Sequence, residues 1–426
     1  GEISISEGLV RIEGLNQQHK FAQIAFVGSG EVSDIMSVLD RDPYRFARSI
    51  GFSPHSVNGL SAARVRFDLP IKDGLKAQDV QYAVAANVRD FGVSGVMGDH
   101  VISDGNFLIQ LDGSGVSANG TAAINRAPVS LEWRRAFRPA GQATSWLSLT
   151  ANLDEEGRKS LGLPWAPRVT GTTPISAQIL MKGWEVLEVS ATADLTSVDL
   201  EFPELVWNKA AGTFAQVKVE SAQGGGEGLM LATFEFTSPG LTALGQAELD
   251  QDNEIRRLDL SLLEVGESRV SAAIRPLSPD GFIVALEGSR FDMRPYLARL
   301  FGEEGTLAVP PLVLTMRVGE VILGDQYSLV DSKVRAVYSG EAWREIQASG
   351  VLNGDAPVQI SLKTKPGRRS LAVSSSEAGA FVRSLGVFDN AIGGKLDLTA
   401  IIDESLSSRP LNGQVKIDGF KVVNAP

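Results

Sequence analysis

Apolar and polar residues alternate one for one along much of the chain. Ala63, Val65, Phe67 and Leu69 are interleaved with Arg64, Arg66 and Asp68; Leu258, Leu260 and Leu262 with Asp259 and Ser261; Leu396, Leu398 and Ala400 with Asp397 and Thr399. Successive side chains of a strand point to opposite faces, so each run predicts a strand with one apolar and one wet face. The same period recurs over residues 81–88, 107–111, 116–124, 175–181, 187–195, 213–219, 270–274, 282–286, 312–318, 334–338, 358–362 and 415–417. Between runs stand Asp104-Gly105, Asp112-Gly113, Asn119-Gly120, Asp280-Gly281, Asn353-Gly354 and Asn412-Gly413, pairs that supply the positive φ of tight hairpins. The 44 glycines are then mostly turn chemistry, and the chain reads as a long antiparallel meander.

Four short helices are predicted within it. Asp42 caps the first, with Pro43 at its first position and Gly51 at its end; Asp154 caps the second, which runs through Leu161 and stops at Gly162. Asp292 starts a third that tolerates Pro295 in its first turn and ends at Gly302, and Ser374 with Glu377 makes a capping box for a fourth ending at Gly386. Three endings are alike: Arg48-Ser49-Ile50-Gly51, Lys159-Ser160-Leu161-Gly162 and Arg383-Ser384-Leu385-Gly386. A second glycine, Gly59, Gly171 or Gly393, opens the next strand in each case. This predicts a degenerate, unevenly spaced repeat of helix, loop and several strands.

Little in the sequence suggests catalysis. A net charge of −11 without runs of Lys or Arg argues against a nucleic-acid partner, and the absence of cysteine removes disulfides, thiolate metal sites and a cysteine nucleophile. His19, His55 and His100 lie in unrelated contexts without metal-ligand spacing. Gly393-Gly394-Lys395 lacks the rest of a P-loop and reads as a bend into the strand at Leu396; Gly28-Ser29-Gly30 and the glycine-rich stretch 223–228 lack a dinucleotide fingerprint. Asp154-Glu155-Glu156, Asp250-Gln251-Asp252 and Glu303-Glu304 fall at helix starts or turns, where nothing orients a second carboxylate across a cleft. No apolar run approaches the roughly 20 residues of a membrane helix. The strand-like opening Glu2 to Ser6 and the abrupt end at Pro426 read as an excised piece of a longer protein. The expectation is a non-enzyme with no catalytic residue, no metal and no cofactor.

What remains is a distributed feature, dozens of apolar side chains on one face of a very long sheet. In a sandwich or barrel such faces bury one another, whereas in an open, curved sheet they line a groove with apolar contents. Taken alone, the residues favour the sandwich.

The helix-flanking motifs shift that preference. The stretch from Ser376 through Phe381-Val382-Arg383-Ser384-Leu385-Gly386 to Ile392-Gly393-Gly394-Lys395-Leu396, followed by residues 411–426, resembles the C-terminal signature of the AsmA-like family, in its YhdP-like branch. Residues 153–164 with Gly171, the Phe291-Asp292-Met293-Arg294-Pro295 step, and Asp42-Pro43 to Gly51 followed by Phe67-Asp68-Leu69-Pro70 resemble the same family. Its members are bridge-like lipid transfer proteins. The resemblance implies a mainly β fold: a long, curved, twisted antiparallel sheet forming an open hydrophobic groove, with a few short capping helices. It implies three segments, 1–171, 172–302 and 303–426, and a periplasmic location with an inner-membrane anchor outside this piece.

The implied function is shuttling of phospholipids between inner and outer membrane. An exposed CH₂ costs about 0.8 kcal/mol in water, so an acyl chain must stay shielded along its whole path. About 20 to 25 strands at roughly 4.8 Å would span on the order of 100 Å. The floor positions are Val65, Phe67, Leu69, Tyr82, Val84, Leu187, Val189, Leu258, Leu260, Phe282, Val284, Leu286, Leu312, Leu314, Ile360, Leu362, Leu396 and Leu398. The alternative is an envelope scaffold or outer-membrane-protein assembly factor that binds protein partners through its edges.

Overall fold

The computed structural model describes residues 3–16, 19–40, 53–76, 79–96, 100–137, 144–162, 169–183, 185–223, 230–250, 254–277, 281–301, 310–386, 390–403 and 411–423. Strands account for 73% of the structure and helices for 9%. Two compact units emerge: Gly1–Leu200 with Ala210–Gln223, and Glu201–Lys209 with Gly224–Pro426. The segment boundaries expected near 171 and 302 fall inside the first and the second unit, respectively.

In the first unit, β1 (Ser4–Glu13), β2 (Lys20–Glu31), β3 (Val57–Ile71) and β4 (Gln81–Val96) pair antiparallel in sequence order. β5 (His100–Asp112), β6 (Gly115–Ile124), β7 (Ala127–Ala136) and β8 (Thr144–Leu153) extend the same ladder. Past the two-residue β9 (Val169–Thr170), β10 (Thr173–Lys182) pairs with β8 and β11 (Glu185–Asp194) with β10. The short β12 (Asp199–Phe202) follows, its Asp199 and Leu200 lying against β9, and β14 (Gln216–Gln223) joins β11; β13 (Trp207–Lys209), between them in sequence, belongs to the second unit. Helix α1 (Val32–Leu39) links β2 to β3, and α2 (Glu155–Ser160) lies between β8 and β9.

The second unit runs β15 (Met230–Ser238), β16 (Leu241–Leu249), β17 (Ile255–Val265), β18 (Ser268–Leu277) and β19 (Gly281–Asp292), each pair antiparallel. After α3 (Arg294–Phe301), β20 (Leu312–Gly324) lies beside β19 and parallel to it. β21 (Tyr327–Tyr338), β22 (Trp343–Leu352), β23 (Ala356–Lys365) and β24 (Arg368–Ser375) resume the antiparallel order. α4 (Ala378–Ser384) and the two-residue β25 (Ala391–Ile392) lead to β26 (Lys395–Asp403), β27 (Leu411–Asp418) and the two-residue β28 (Lys421–Val422), which pairs with β25. The long sheet is twisted and unclosed: among the described residues β1 pairs only with β2, and β27 only with β26.

Three expectations are corrected. The meander is mixed, not wholly antiparallel, because residues 293–311 are long enough to carry the chain back along β19 before β20 begins. Phe282 N donates to the Pro311 carbonyl (2.8 Å), which fixes that return. Second, three of the supposed turn pairs lie inside strands. Asp104 (φ 54°) sits at a register shift where Gly105 faces Phe91, a bulge that needs positive φ as a turn does. Gly120 and Gly413 instead permit close strand approach: a Cβ on Gly120 would meet the Asn106 carbonyl, and one on Gly413 would lie 2.8 Å from the Thr399 carbonyl. Asp112-Gly113 and Asn353-Gly354 do turn, whereas Asp280 lies outside the described residues.

Third, the helices differ in part. The helix expected over 42–51 lies outside the described residues; before it the structure adds α1, with Val32, Ile35 and Met36 at helical spacing within the run. α2 begins as predicted, Asp154 Oδ1 accepting from Gly157 N (2.8 Å). α4 does not form the capping box: Ser374 ends in β24, and the Glu377 carboxylate reaches across to accept from Gly393 N (2.8 Å). We predict that Gly120→Val destabilises the fold by about 1–3 kcal/mol through overpacking, while Gly113→Ala, with open space around it, changes the denaturant midpoint little; equilibrium urea unfolding compares the two.

Candidate functional site

Directly opposed residues of neighbouring strands share a face, so register shows whether the alternating runs add up to one surface. In the second unit they do. Leu258 faces Ala247 and Ile274, and Ile274 faces Val284. Val284 faces Leu314, which faces Ala336, then Ile346, Leu362, Leu371, Ala400 and Gly413 in turn. With Ala232 opposite Ala247, this row crosses the sheet from β15 to β27 without a polar side chain. Two residues along each strand lies a second such row: Phe234, Gly245, Leu260, Ala272, Leu286, Met316, then Val334, Ala348, Ile360, Val373, Leu398 and Val415. The row between them faces the other way. It runs through Gln246, Asp259, Thr315, Arg335, Gln347 and Ser361.

The first unit carries a comparable row. Ile5, Gly28, Ala63, Ala86, Ile109 and Ala118 lead to Trp133, Leu147, Ile179 and Val189, and it ends at Ser221. Next to it, Phe26, Val65, Val84, Leu111 and Val116 align, and beyond those Phe67 faces Tyr82, while Leu69 faces Ala22. Leu187 departs from the pattern: it falls at the register shift between β10 and β11, and Val186 takes the place opposite Met181. Phe282 and Leu312 face each other in the outermost apolar row of the second unit, and Leu396 faces Ser375 and Ile417 near the opposite strand ends.

Most of these side chains keep part of their surface accessible. Of the eighteen floor positions all are half-buried except Leu362 (5% exposed), Leu396 (2%) and Phe282 (41%). Full burial occurs where helices lie on the apolar face, and also away from them, as at Leu147, Ile179 and Met181, which pack with Leu131, Trp133, Val186 and Val189. Val32 and Met36 of α1 pack with Val57, Val88 and Phe107, and Leu153 and Leu161 flanking α2 join the same cluster. In the second unit Ala378, Ala380 and Phe381 of α4 cover Leu352, Val358, Val373 and Leu396. There, too, Phe202 and Trp207 pack edge-on against Phe236 (6.3 and 5.9 Å between centroids), and Tyr296 stacks on Phe291 (5.6 Å). Within each unit these covers gather at one end of the strands and form a wall.

Arginines pin the wall. Arg158, 2% exposed, donates through Nη1 to the carbonyls of Leu153 (2.9 Å) and Gly171 (2.7 Å) and through Nη2 to that of Val169 (2.5 Å). Arg383 donates through Nε to the Tyr327 hydroxyl (2.7 Å), through Nη1 to the Ala391 carbonyl, and its guanidinium stands 5.9 Å from the Tyr327 ring centre. At the start of α3, Asp292 (8% exposed) accepts from Arg294 Nε (2.9 Å), Nη2 (2.9 Å) and backbone N (3.0 Å).

The opposite, wet face carries exposed ion pairs between residues two apart on one strand, such as Arg66–Asp68 (2.7 Å) and Lys395–Asp397 (3.1 Å). Their position confirms which face meets water, though exposed pairs add little stability. Among the described residues no group of three His, Asp or Glu side chains is placed to hold a metal ion, and no helix is long and apolar enough to cross a membrane. No protein-family model and no curated protein matches the chain.

Sequence reasoning missed the residues that complete the rows, among them Ile274, Ala336, Ile346 and Leu371, along with Trp133 and Ile179. Each sits at the right spacing in its own strand; what the sequence does not state is which residue lies across from it.

The Asp292 carboxyl is held below its ordinary range, chiefly by the hydrogen bonds from Arg294. A carboxyl depressed in the folded state adds stability above its unfolded value near pH 4, and this is lost as pH falls through the folded value. Asp292→Asn is therefore expected to lower the melting temperature at pH 7 and to flatten its decline between about pH 4 and pH 2, as followed by circular dichroism.

Proposed function

We propose that this chain is a phospholipid-conducting segment that works without chemistry of its own. The observation that carries the reading is the pair of apolar rows crossing the second unit from β15 to β27, half-buried over most of their length. A surface of that kind offers an acyl chain continuous contact, while the headgroup stays in water. An acyl chain of roughly 16 carbons would gain on the order of 10 kcal/mol over full exposure, at about 0.8 kcal/mol per CH₂. The resemblance to AsmA-like proteins supports the same reading and adds the periplasm, an inner-membrane anchor and outer-membrane biogenesis as its setting. Lipid would pass from strand to strand across the rows, since no single residue on them is unique.

One observation favours a scaffold that binds protein partners instead. Strand β1 is exposed along all 10 residues, with Ile5 and Val10 each at 66%, and its outer edge is unpaired among the described residues. Such an edge can template a strand from another protein.

Photo-crosslinkers separate the two. At Leu260 or Val284 they are expected to capture phospholipid, and at Asp259 or Arg335 they are not. Leu260→Asp is expected to leave the melting temperature within a few degrees but to cut captured lipid several-fold. Crosslinks to lipid from Asp259 and none from Leu260 would show that the apolar rows are not the path.

A further inference from the structure

The strand ends opposite the wall are lined differently from the rest of the apolar face, and alike in both units. In the first, Trp133 and Arg135 project from β7 onto that face; Trp133 faces Ala118 and Leu147, and Arg135 faces Val116. Tyr82, one row further out, faces Phe67. Arg135 is half-buried, and burial pushes its guanidinium below its ordinary value; burial likewise raises the Tyr82 phenol, with the Asp112 charge adding to it. In the second unit the outermost apolar row runs Phe282, Leu312, Tyr338 and Trp343, the last two with ring centres 5.2 Å apart. Arg369 lies on the same face of β24 as Leu371. It reaches across β23 to donate through Nη1 to the Trp343 carbonyl (3.2 Å), and beside it Arg344 Nε donates to Ser339 Oγ (3.1 Å).

Both units thus carry aromatic rings and an arginine at the strand ends away from the wall, where no helix of the described residues lies on them. Tyr and Trp pair an apolar body with a polar edge, and arginine pairs an apolar stem with a charged head, so both residue types suit a boundary between hydrocarbon and water. A floor that met hydrocarbon alone would gain nothing from a cation on it, and desolvating one is costly. The guanidinium fork matches a phosphate diester, with two parallel N–H donors for two oxygens.

We propose that these margins are headgroup sites: the phosphate diester of a diacyl phospholipid binds at Arg135 in the first unit and at Arg369 in the second, with its acyl chains lying on the apolar rows toward the helical wall. The proposal rests on the conduit reading and sharpens it, since it selects lipids with a phosphate over neutral lipids with the same chains. The aromatic rings cover the glycerol region, and the arginine sets the depth at which the lipid rides.

The test offers the purified full chain an equimolar micellar mixture of phosphatidylglycerol and diacylglycerol with identical acyl chains, and quantifies bound lipid by mass spectrometry. Wild type is expected to prefer phosphatidylglycerol at least tenfold. Arg135→Gln with Arg369→Gln is expected to reduce the preference below threefold while total bound lipid stays within twofold, and the corresponding Lys variants are expected to retain most of the preference. Equal uptake of the two lipids by wild type overturns the headgroup sites and leaves the conduit standing, a result that needs no variant to fold. Uptake of neither lipid removes the conduit reading and this proposal with it. A double Gln variant that folds, as judged by its melting curve, and keeps the full preference also overturns the assignment.

Discussion

Everything in this structure depends on cross-strand register. The backbone ladder places one residue squarely opposite another, and the period of two then decides which of them meets water. A slip of one residue in β17, β19, β20 or β23 would turn Leu258, Val284, Leu314 or Leu362, respectively, to the other face. The ladder is not regular: it shifts between Leu244 and Gly245, between Leu260 and Leu263, and between Val330 and Lys333. Yet the rows through Leu258 and Leu260 remain unbroken on either side of these shifts. Bulges here change the twist and edge geometry without spending the apolar face.

That face is finished in different ways along its width. At one strand end, helices bury it and arginines satisfy the carbonyls that the helices leave behind, so polar backbone is tolerated next to packed leucine. Over the middle rows of the second unit most side chains remain half-buried, whereas in the first unit Leu147, Ile179 and Met181 form a buried cluster of their own. At the other end the lining becomes aromatic and cationic. In the second unit the apolar face therefore grades from helix-covered to aromatic-lined along the strand direction, while it stays nearly constant across strands. That anisotropy is what the proposed path for an amphipathic molecule requires.

Much of this was legible in the sequence. Alternation placed most strands, Asp154 placed α2, and the Gly393-Gly394 bend into β26 appears with φ values of 71° and 90°. The misses have physical reasons. Asn119-Gly120 and Asn412-Gly413 look like hairpin pairs, but in both the glycine is needed because a neighbouring strand approaches too closely for a Cβ, a demand made by tertiary structure. Conversely, Asn125 and Arg126 turn with φ values of 47° and 74° without any glycine. Helix α1 carried a readable spacing at Val32, Ile35 and Met36, eclipsed by the stronger cap signal at Asp42-Pro43. For the candidate site, face was legible and partnership was not: Leu187 and Val186 are one residue apart, and only the bulge between β10 and β11 decides between them.

The parallel step between β19 and β20 bears on where the helices can go. Each hairpin reverses the chain, so a helix that follows a strand emerges at an end set by whether the number of preceding reversals is odd or even. From β2 to β8 the count is even, and α1 and α2 share an end. From β19 to β24 it would be odd in a pure meander, and α4 would then emerge opposite α3, capping the aromatic margin. Making one neighbour parallel removes a single reversal and restores the parity, so one crossover brings α3 and α4 to the same strand end.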